Sequence, residues 1–313
     1  MDKLSSHLRT FLEYLEVEKG RSPLTIRNYS FYLTRFIAWA KDPDPKDIDQ
    51  DMIHQYRLYL NRLASRGEDT LKKSTQNYHL IALRSFLKFL NKRDIETLSA
   101  EKIELARQGT REVSFLDAAD LERLLDAPAK SDSSSIMQAR DRAILELFFS
   151  SGMRVSELAN LKRDQINLKR EEFSVRGKGD KLRVVFLSNQ ARHAIQTYLD
   201  LRKDEAPYLF VRHDRGAAKG EKENNTGPLT PRSIERLVHH YAVATGIPKK
   251  ITPHTLRHSF ATDLLMNGAD LRSVQSLLGH SSITTTQIYT HITNQQLKEV
   301  HHAFHAKRRE KEG

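Results

Sequence analysis

The chain has 313 residues, 38% hydrophobic and 29% charged, with no cysteine and a formal net charge of +11. Its length allows two ordinary domains, and the lack of thiols excludes a disulfide framework, thiolate zinc centres and a cysteine nucleophile. No apolar run reaches the roughly 20 residues that span a bilayer, and the amphipathic start MDKLSSHLRTFLEYLEVEKG suits neither a signal nor a transit peptide, so a cytoplasmic protein is expected.

From the N-terminus, residues 5–18 have a helical period, with Leu8, Phe11, Leu12 and Leu15 on one face and Gly20 as the stop. Ser22-Pro23 then supplies an N-cap and a first-turn proline for a second helix, which turns Ile26, Tyr29, Leu33, Phe36 and Ile37 inward. DPDPKDID is a loop. A third helix is predicted around Met52–Leu63 and a fourth from Ser74 to Leu90, its apolar positions being Tyr78, Ile81, Leu83, Phe86 and Leu90. Four helices in so short a stretch make a small bundle, placed at residues 1–98. Residues 99–113 lack strong periodicity and are expected to be a linker to a second domain, 114–313.

In that second domain, 117–125 and 140–150 read as helices separated by the polar loop AKSDSSS. EEFSVRGKGDKLRVVFL alternates like two strands around a glycine-rich turn, a hairpin. Helices are predicted near 189–202, 230–245, 254–267, 270–278 and 282–290, with a last one over 293–309. Residues 212–228 are polar and glycine-rich, a mobile loop. The fold class is therefore mainly α with a small antiparallel sheet.

Both domains are basic: residues 1–110 carry 19 basic and 15 acidic side chains, residues 111–313 carry 32 and 25. A polyanionic partner follows, because each phosphate neutralised by Lys or Arg releases condensed counterions. In the bundle, Arg27, Lys72, Lys73, Ser74 and Arg84 lie at or along helix starts, where phosphate contacts form. Singly each reads as plain surface; together they are a DNA-facing set.

Four segments of the second domain carry chemistry: GMRVSEL at 152–158, RGKGDK at 176–181, HTLRHSF at 254–260 and LGHSSITTTQIYTH at 278–291. Metal-free cleavage of a phosphodiester needs cations fixed on the non-bridging oxygens, and Arg154 and Arg257 offer planar donor forks for that role. It needs a proton for the leaving 5′ oxygen, which Lys178 on a turn can deliver. It needs a nucleophile that survives as an ester, which the Tyr289 phenol can be. His254 and His280 can orient phosphate oxygens or relay the phenolic proton.

That order, Arg, Lys, His-x-x-Arg, His, Tyr, resembles the tyrosine recombinases of the lambda-integrase superfamily, and is most similar to the Xer type. Arg154 and Lys178 are 24 residues apart, Arg257 and His280 are 23 apart, and Tyr289 follows His280 by 9. SPLTIRNYSFYLTRF and STQNYHLIALRSFLKFL extend the likeness into the first domain. The resemblance implies a SAM-like core-binding domain, an α-rich catalytic domain and a clamp around duplex DNA. It implies that Tyr289 forms a 3′-phosphotyrosyl bond, Lys178 is the general acid, Arg154 and Arg257 clamp the phosphate, His254 is the general base and His280 hydrogen-bonds a non-bridging oxygen. Glu157, one turn after Arg154, is the expected partner that fixes its guanidinium.

The same resemblance implies inverted half-sites, a homo- or hetero-tetramer on DNA and strand exchange through a Holliday junction. A paralogous recombinase or a DNA translocase enters as a partner, and the helix over 293–309 as one passed between protomers. The ester conserves the bond energy, so no nucleotide, cofactor or metal is expected; the chain has no GxxxxGK[ST] loop. Because core-binding helices begin almost at once, an Xer-like resolution of chromosome or plasmid multimers is favoured over a mobile-element integrase. A type IB topoisomerase shares the chemistry, an inactive DNA-binding regulator would share the fold, and a metal-dependent nuclease would share only the substrate.

Taken singly, Arg154 reads as a helix cap, Lys178 as a solvated hairpin tip, His254 as a structural imidazole and Tyr289 as a buried tyrosine. Those readings are independent and account for no ordered set. His239-His240 and His301-His302-x-x-His305 lack a carboxylate arranged with them and are not assigned to metal.

Overall fold

A computed structural model describes residues 3–63, 70–107, 114–177, 182–213 and 227–279. The chain divides into two compact units, Met1–Arg111 and Glu112–Gly313.

The first unit is built from α1 (Leu4–Val17), α2 (Pro23–Trp39), α3 (Gln50–Arg62) and α4 (Lys73–Asn91). Local chemistry sets the helix starts. Ser22 Oγ accepts the Thr25 N–H at 3.3 Å ahead of Pro23, and Asp49 accepts the Met52 N–H at 2.7 Å. Asp42 closes the turn after α2 by accepting from the Ser5 backbone N–H at 2.8 Å and its hydroxyl at 2.6 Å. The core gathers Leu80, Leu83, Phe86, Leu87 and Leu90 of α4 against Phe11, Leu33, Phe36, Tyr56 and Leu60, all essentially inaccessible. Each such side chain contributes roughly 1.5–3 kcal/mol by leaving water. Deep in this core the Tyr56 hydroxyl and His79 Nδ1 are hydrogen-bonded at 3.1 Å.

Two sequence expectations change here. Tyr78 and Ile81 are exposed, because the core stripe of α4 runs through Asn77, Leu80, Leu83 and Phe86 and leaves 78 and 81 beside it. Residues 99–107, expected as linker, pack onto the first unit. Ala100 and Ile103 are buried in its core, and the Asn77 amide donates to the Ala106 carbonyl at 2.8 Å while accepting its N–H at 3.0 Å. A side-chain amide thus stands in for a strand partner, which leaves no periodic trace in the sequence.

The second unit contains α5 (Ala118–Asp126), α6 (Ser135–Ser151), α7 (Val155–Ala159), β1 (Glu172–Arg176), β2 (Leu182–Phe186), α8 (Asn189–Leu201), α9 (Pro231–Ala244), α10 (Pro253–Met266) and α11 (Leu271–Leu278). The strand pair is antiparallel, with Glu172 opposite Phe186 and Arg176 opposite Leu182. Phe173, Val175 and Val185 face inward, while Leu182, Val184 and Phe186 face outward. Helix α6 is the spine: Ala143, Ile144, Leu145, Leu147 and Phe148 are all fully buried, as expected of a helix packed on several sides, here by α8 and α10. Thr252 caps α10 by accepting the Thr255 N–H at 3.2 Å, with Pro253 in the first turn. The expected helix over 140–150 begins earlier, at Ser135, and the short α7 was not anticipated. The helices expected at 282–290 and 293–309 lie outside the described residues, as does the loop core 214–226.

Candidate active site

The site begins where α6 ends. Gly152 adopts the left-handed conformation at φ +56°, and a Cβ there would collide with the Phe260 ring and approach Leu278 Cδ2 at 3.2 Å. Only glycine meets both conditions. The chain then turns through buried Met153 to Arg154, the N-cap of α7. Glu157, three residues on, accepts the Arg154 backbone N–H at 2.8 Å with one carboxylate oxygen and its guanidinium at 2.8 Å with the other. The expected Arg154–Glu157 partnership is therefore also the cap of the helix.

Arg257 lies one turn into α10 and is 3% exposed. Its guanidinium donates to the Gly152 carbonyl and to the Leu278 carbonyl, the latter at 2.6 Å. Arg154 Nη2 reaches the Gly279 carbonyl at 3.1 Å. A third guanidinium completes the row: Arg183 of β2 donates to the Leu277 carbonyl at 2.8 Å and to Glu157 Oε2 at 2.6 Å. Three consecutive carbonyls at the end of α11 thus each receive one arginine. The last carbonyls of a helix have no partner within it and form the negative end of its dipole, so cations belong there. Gly279 closes α11 in the left-handed conformation, φ +62°, and the next residue is His280.

His254 stands at the start of α10, its ring edge-on to that of His258 with centroids 4.2 Å apart. Arg154, His254 and Arg257 line one cleft of about 720 Å³, together with Arg232, Arg236 and Lys250. A neighbouring cleft of about 520 Å³ runs from Arg154 and Glu157 to Arg176 and Gly177, the residue before Lys178. Of the six expected catalytic side chains, the structure therefore gathers Arg154, His254 and Arg257. Lys178, His280 and Tyr289 lie outside the described residues, and the chain enters them directly from β1 and from α11.

Electrostatically, the row sets three guanidiniums against one carboxylate among the described residues, Glu157, which pairs with Arg154 and Arg183 while Arg257 donates to backbone carbonyls. Burial pulls the Arg183 guanidinium below its usual range and the charge of Arg154 adds to this, while Glu157 opposes it. Excess buried positive charge on fixed forks favours a planar anion such as phosphate. Among the described residues no group of three or more His, Asp or Glu side chains could hold a metal ion.

Arg183 was missed from the sequence. The available signal was strand alternation: in LRVVF, position 183 shares the inward face with Val185, and an arginine on that face requires a partner. In the first unit, Arg27, Lys72 and Lys73 are exposed and Ser74 and Arg84 half-buried; Lys72 to Ser74 form the N-terminal end of α4.

Residues 114–296 match the model of the phage integrase family, and residues 8–94 match the phage integrase N-terminal SAM-like domain. The chain is 38% identical to the tyrosine recombinase XerD of Lacticaseibacillus casei, over 94% of this chain and 97% of that protein. It is 36% identical to the tyrosine recombinase XerC of Thermodesulfovibrio yellowstonii, over the full length of both. Its fold is similar to that of the XerH site-specific recombinase in a post-cleavage complex with palindromic difH substrate. The TM-score is 0.69 at 24% identity, covering 95% of this chain and 84% of that one.

Proposed function

The chain belongs to the phage integrase family as a tyrosine recombinase of the Xer type, and on that premise we propose how its own residues cut and rejoin DNA. The Tyr289 oxygen attacks the scissile phosphorus, and the bond from phosphorus to the 5′ oxygen breaks. Lys178 gives the leaving oxygen its proton, and His254 takes the proton of the phenol. Arg154 and Arg257 hold the non-bridging oxygens, where negative charge grows in the transition state, and His280 donates to one of them. Glu157 keeps the Arg154 fork in place. Religation reverses each step, with the 5′-hydroxyl of the partner strand as nucleophile, so neither nucleotide nor metal is consumed.

The observation that carries this reading is the convergence of Arg154, Arg257 and His254 on one basic cleft. Support also comes from the end of α11, held by those same arginines, which leads straight into His280.

The similar XerH enzyme is bound to a palindromic substrate. By analogy, two copies of this chain occupy inverted half-sites and two such pairs assemble a tetramer, alone or with a paralogue. Arg27, Lys72, Lys73, Ser74 and Arg84 contact the DNA backbone from the first unit, which serves as the core-binding domain, with 114–313 as the catalytic domain. The segment 293–309 passes to a neighbouring protomer. The setting is the cytoplasm, and the task is resolution of chromosome or plasmid multimers, with a DNA translocase as activator.

A nicked suicide duplex carrying the site, itself identified by sequencing DNA trapped on the protein in cells, tests the chemistry. Wild-type protein is expected to form a covalent adduct in EDTA, and Tyr289→Phe to bind the duplex without forming one. An adduct from the Phe variant, or none from wild type, overturns the assignment.

A further inference from the structure

The Arg183 guanidinium touches one of the four chemistry-bearing segments and the residue just before another, and belongs to the strand that leaves a third. It sits on β2 opposite Val175 of β1, five residues after Lys178. One arm reaches Glu157 Oε2 at 2.6 Å, and the other oxygen of that carboxylate holds Arg154 at 2.8 Å. The second arm reaches the Leu277 carbonyl at 2.8 Å, two residues before Gly279. Its side chain is 7% exposed, and its Nε has no partner among the described residues. Space for its stem depends on the end of α11 being glycine, since a Cβ on Gly279 would come within 2.8 Å of Arg183 Cδ.

We propose that Arg183 is a positioning residue for strand cleavage: it ties the hairpin strand, the carboxylate that aims Arg154, and the helix end leading to His280 into one rigid unit. The proposal rests on the tyrosine recombinase reading above. The physical case is the geometry of the fork. A guanidinium presents several donors in one plane, so a single side chain can span a carboxylate and a carbonyl at once; an ammonium is a single point and cannot. Without the span, Glu157 keeps Arg154 but loses its second tether, and the Arg154 fork gains freedom. Misplacing a reacting or clamping group by about 1 Å costs on the order of 10²-fold in rate.

The test compares wild type with Arg183→Lys, Arg183→Met and Glu157→Gln. Adduct formation is timed on two suicide duplexes, one with an ordinary scissile phosphate and one with a neutral methylphosphonate there. The neutral group develops less negative charge, so it depends less on a well-aimed clamp. DNA binding and melting temperature are read alongside.

Arg183→Lys is expected to bind DNA within about twofold of wild type and to cleave the phosphate on the order of 10²-fold more slowly. On methylphosphonate its deficit is expected to shrink by about tenfold or more. Glu157→Gln leaves Arg183 in place and reads the same link from the other side. The same selective rescue is expected, and the double variant should be no slower than the worse single one. Equal deficits on both duplexes would mean that Arg183 merely holds the fold, and cleavage at the wild-type rate would mean that it does nothing for the reaction; either overturns the inference. Should Arg183→Met fail to fold, Arg183→Lys, which keeps the charge and most of the stem, decides by the same criterion. Failure of wild type to form any adduct would instead strike the underlying enzyme assignment, so the two failures are distinct.

Discussion

The two units solve the problem of an interior in different ways. Among the described residues of the first, the only buried polar side chains are Asn77 and His79, and the rest of the core is aliphatic and aromatic. Among its described residues the second buries four arginines, Arg140, Arg183, Arg202 and Arg257. Their partners are instructive. Arg202 donates to the Tyr208 and Leu209 carbonyls at 2.8 and 2.7 Å as well as to Asp204, and Arg140 pairs with Asp141 at 2.7 Å and with the Val211 carbonyl. Arg257 donates to two carbonyls. A carboxylate cancels a guanidinium's charge, whereas a carbonyl satisfies its donors and leaves the charge standing. Near the cleft, Arg154 and Arg183 share one carboxylate, and carbonyls take further donors of both and of Arg257, so the row carries net fixed positive charge with those donors satisfied.

This contrast can be broken by perturbing each core in turn. Phe86→Ala, in the packed centre of the first unit, is expected to cost about 3–5 kcal/mol. Two-transition denaturant unfolding should show the loss in the first unit alone, with little dependence on salt. Asp141→Asn removes the charge that Arg140 pairs with and weakens the acceptor of the Tyr241 hydroxyl, which sits at 2.9 Å. An expected loss of about 3 kcal/mol falls on the second unit, and a loss below about 1 kcal/mol would show that carbonyls alone suffice for buried arginines there.

The smallest effect sharpens the comparison through pH. Burial, with the charge of Arg35 adding, lowers the pKa of His79 from 6.5 to about 4. Between those values the unfolded chain binds a proton that the folded unit refuses, so this contribution to stability is present above pH 6.5 and is lost as pH falls toward 4. At pH 5 the expected loss relative to pH 7.5 is about 2 kcal/mol. Thermal unfolding of the first unit across that range should show it, and His79→Gln should flatten the dependence.

Much of this molecule could be read before its structure. Helices α1 and α2 are visible because one face only is apolar and Ser22-Pro23 marks a boundary. Helix α6 was read short because its first turn, SIMQ, carries no stripe and the rest is buried on several sides. Positions 99–107 were misread because their anchor is the Asn77 amide, far away in sequence. At the site, Arg154, His254 and Arg257 were legible as an ordered motif, and Glu157 as the neighbour of Arg154. What spacing could not convey is that backbone oxygens anchor the arginines. Arg183 remained hidden because its role depends on which way one strand faces.

The anchoring of those arginines has a consequence for inheritance. A main-chain oxygen is supplied by every amino acid, so replacing Leu277 changes the side chain and leaves the acceptor for Arg183 where it was. Point substitution cannot delete such a contact; only a change in chain length before the end of α11 shifts all three oxygens together. The region is therefore tolerant of spelling and intolerant of spacing.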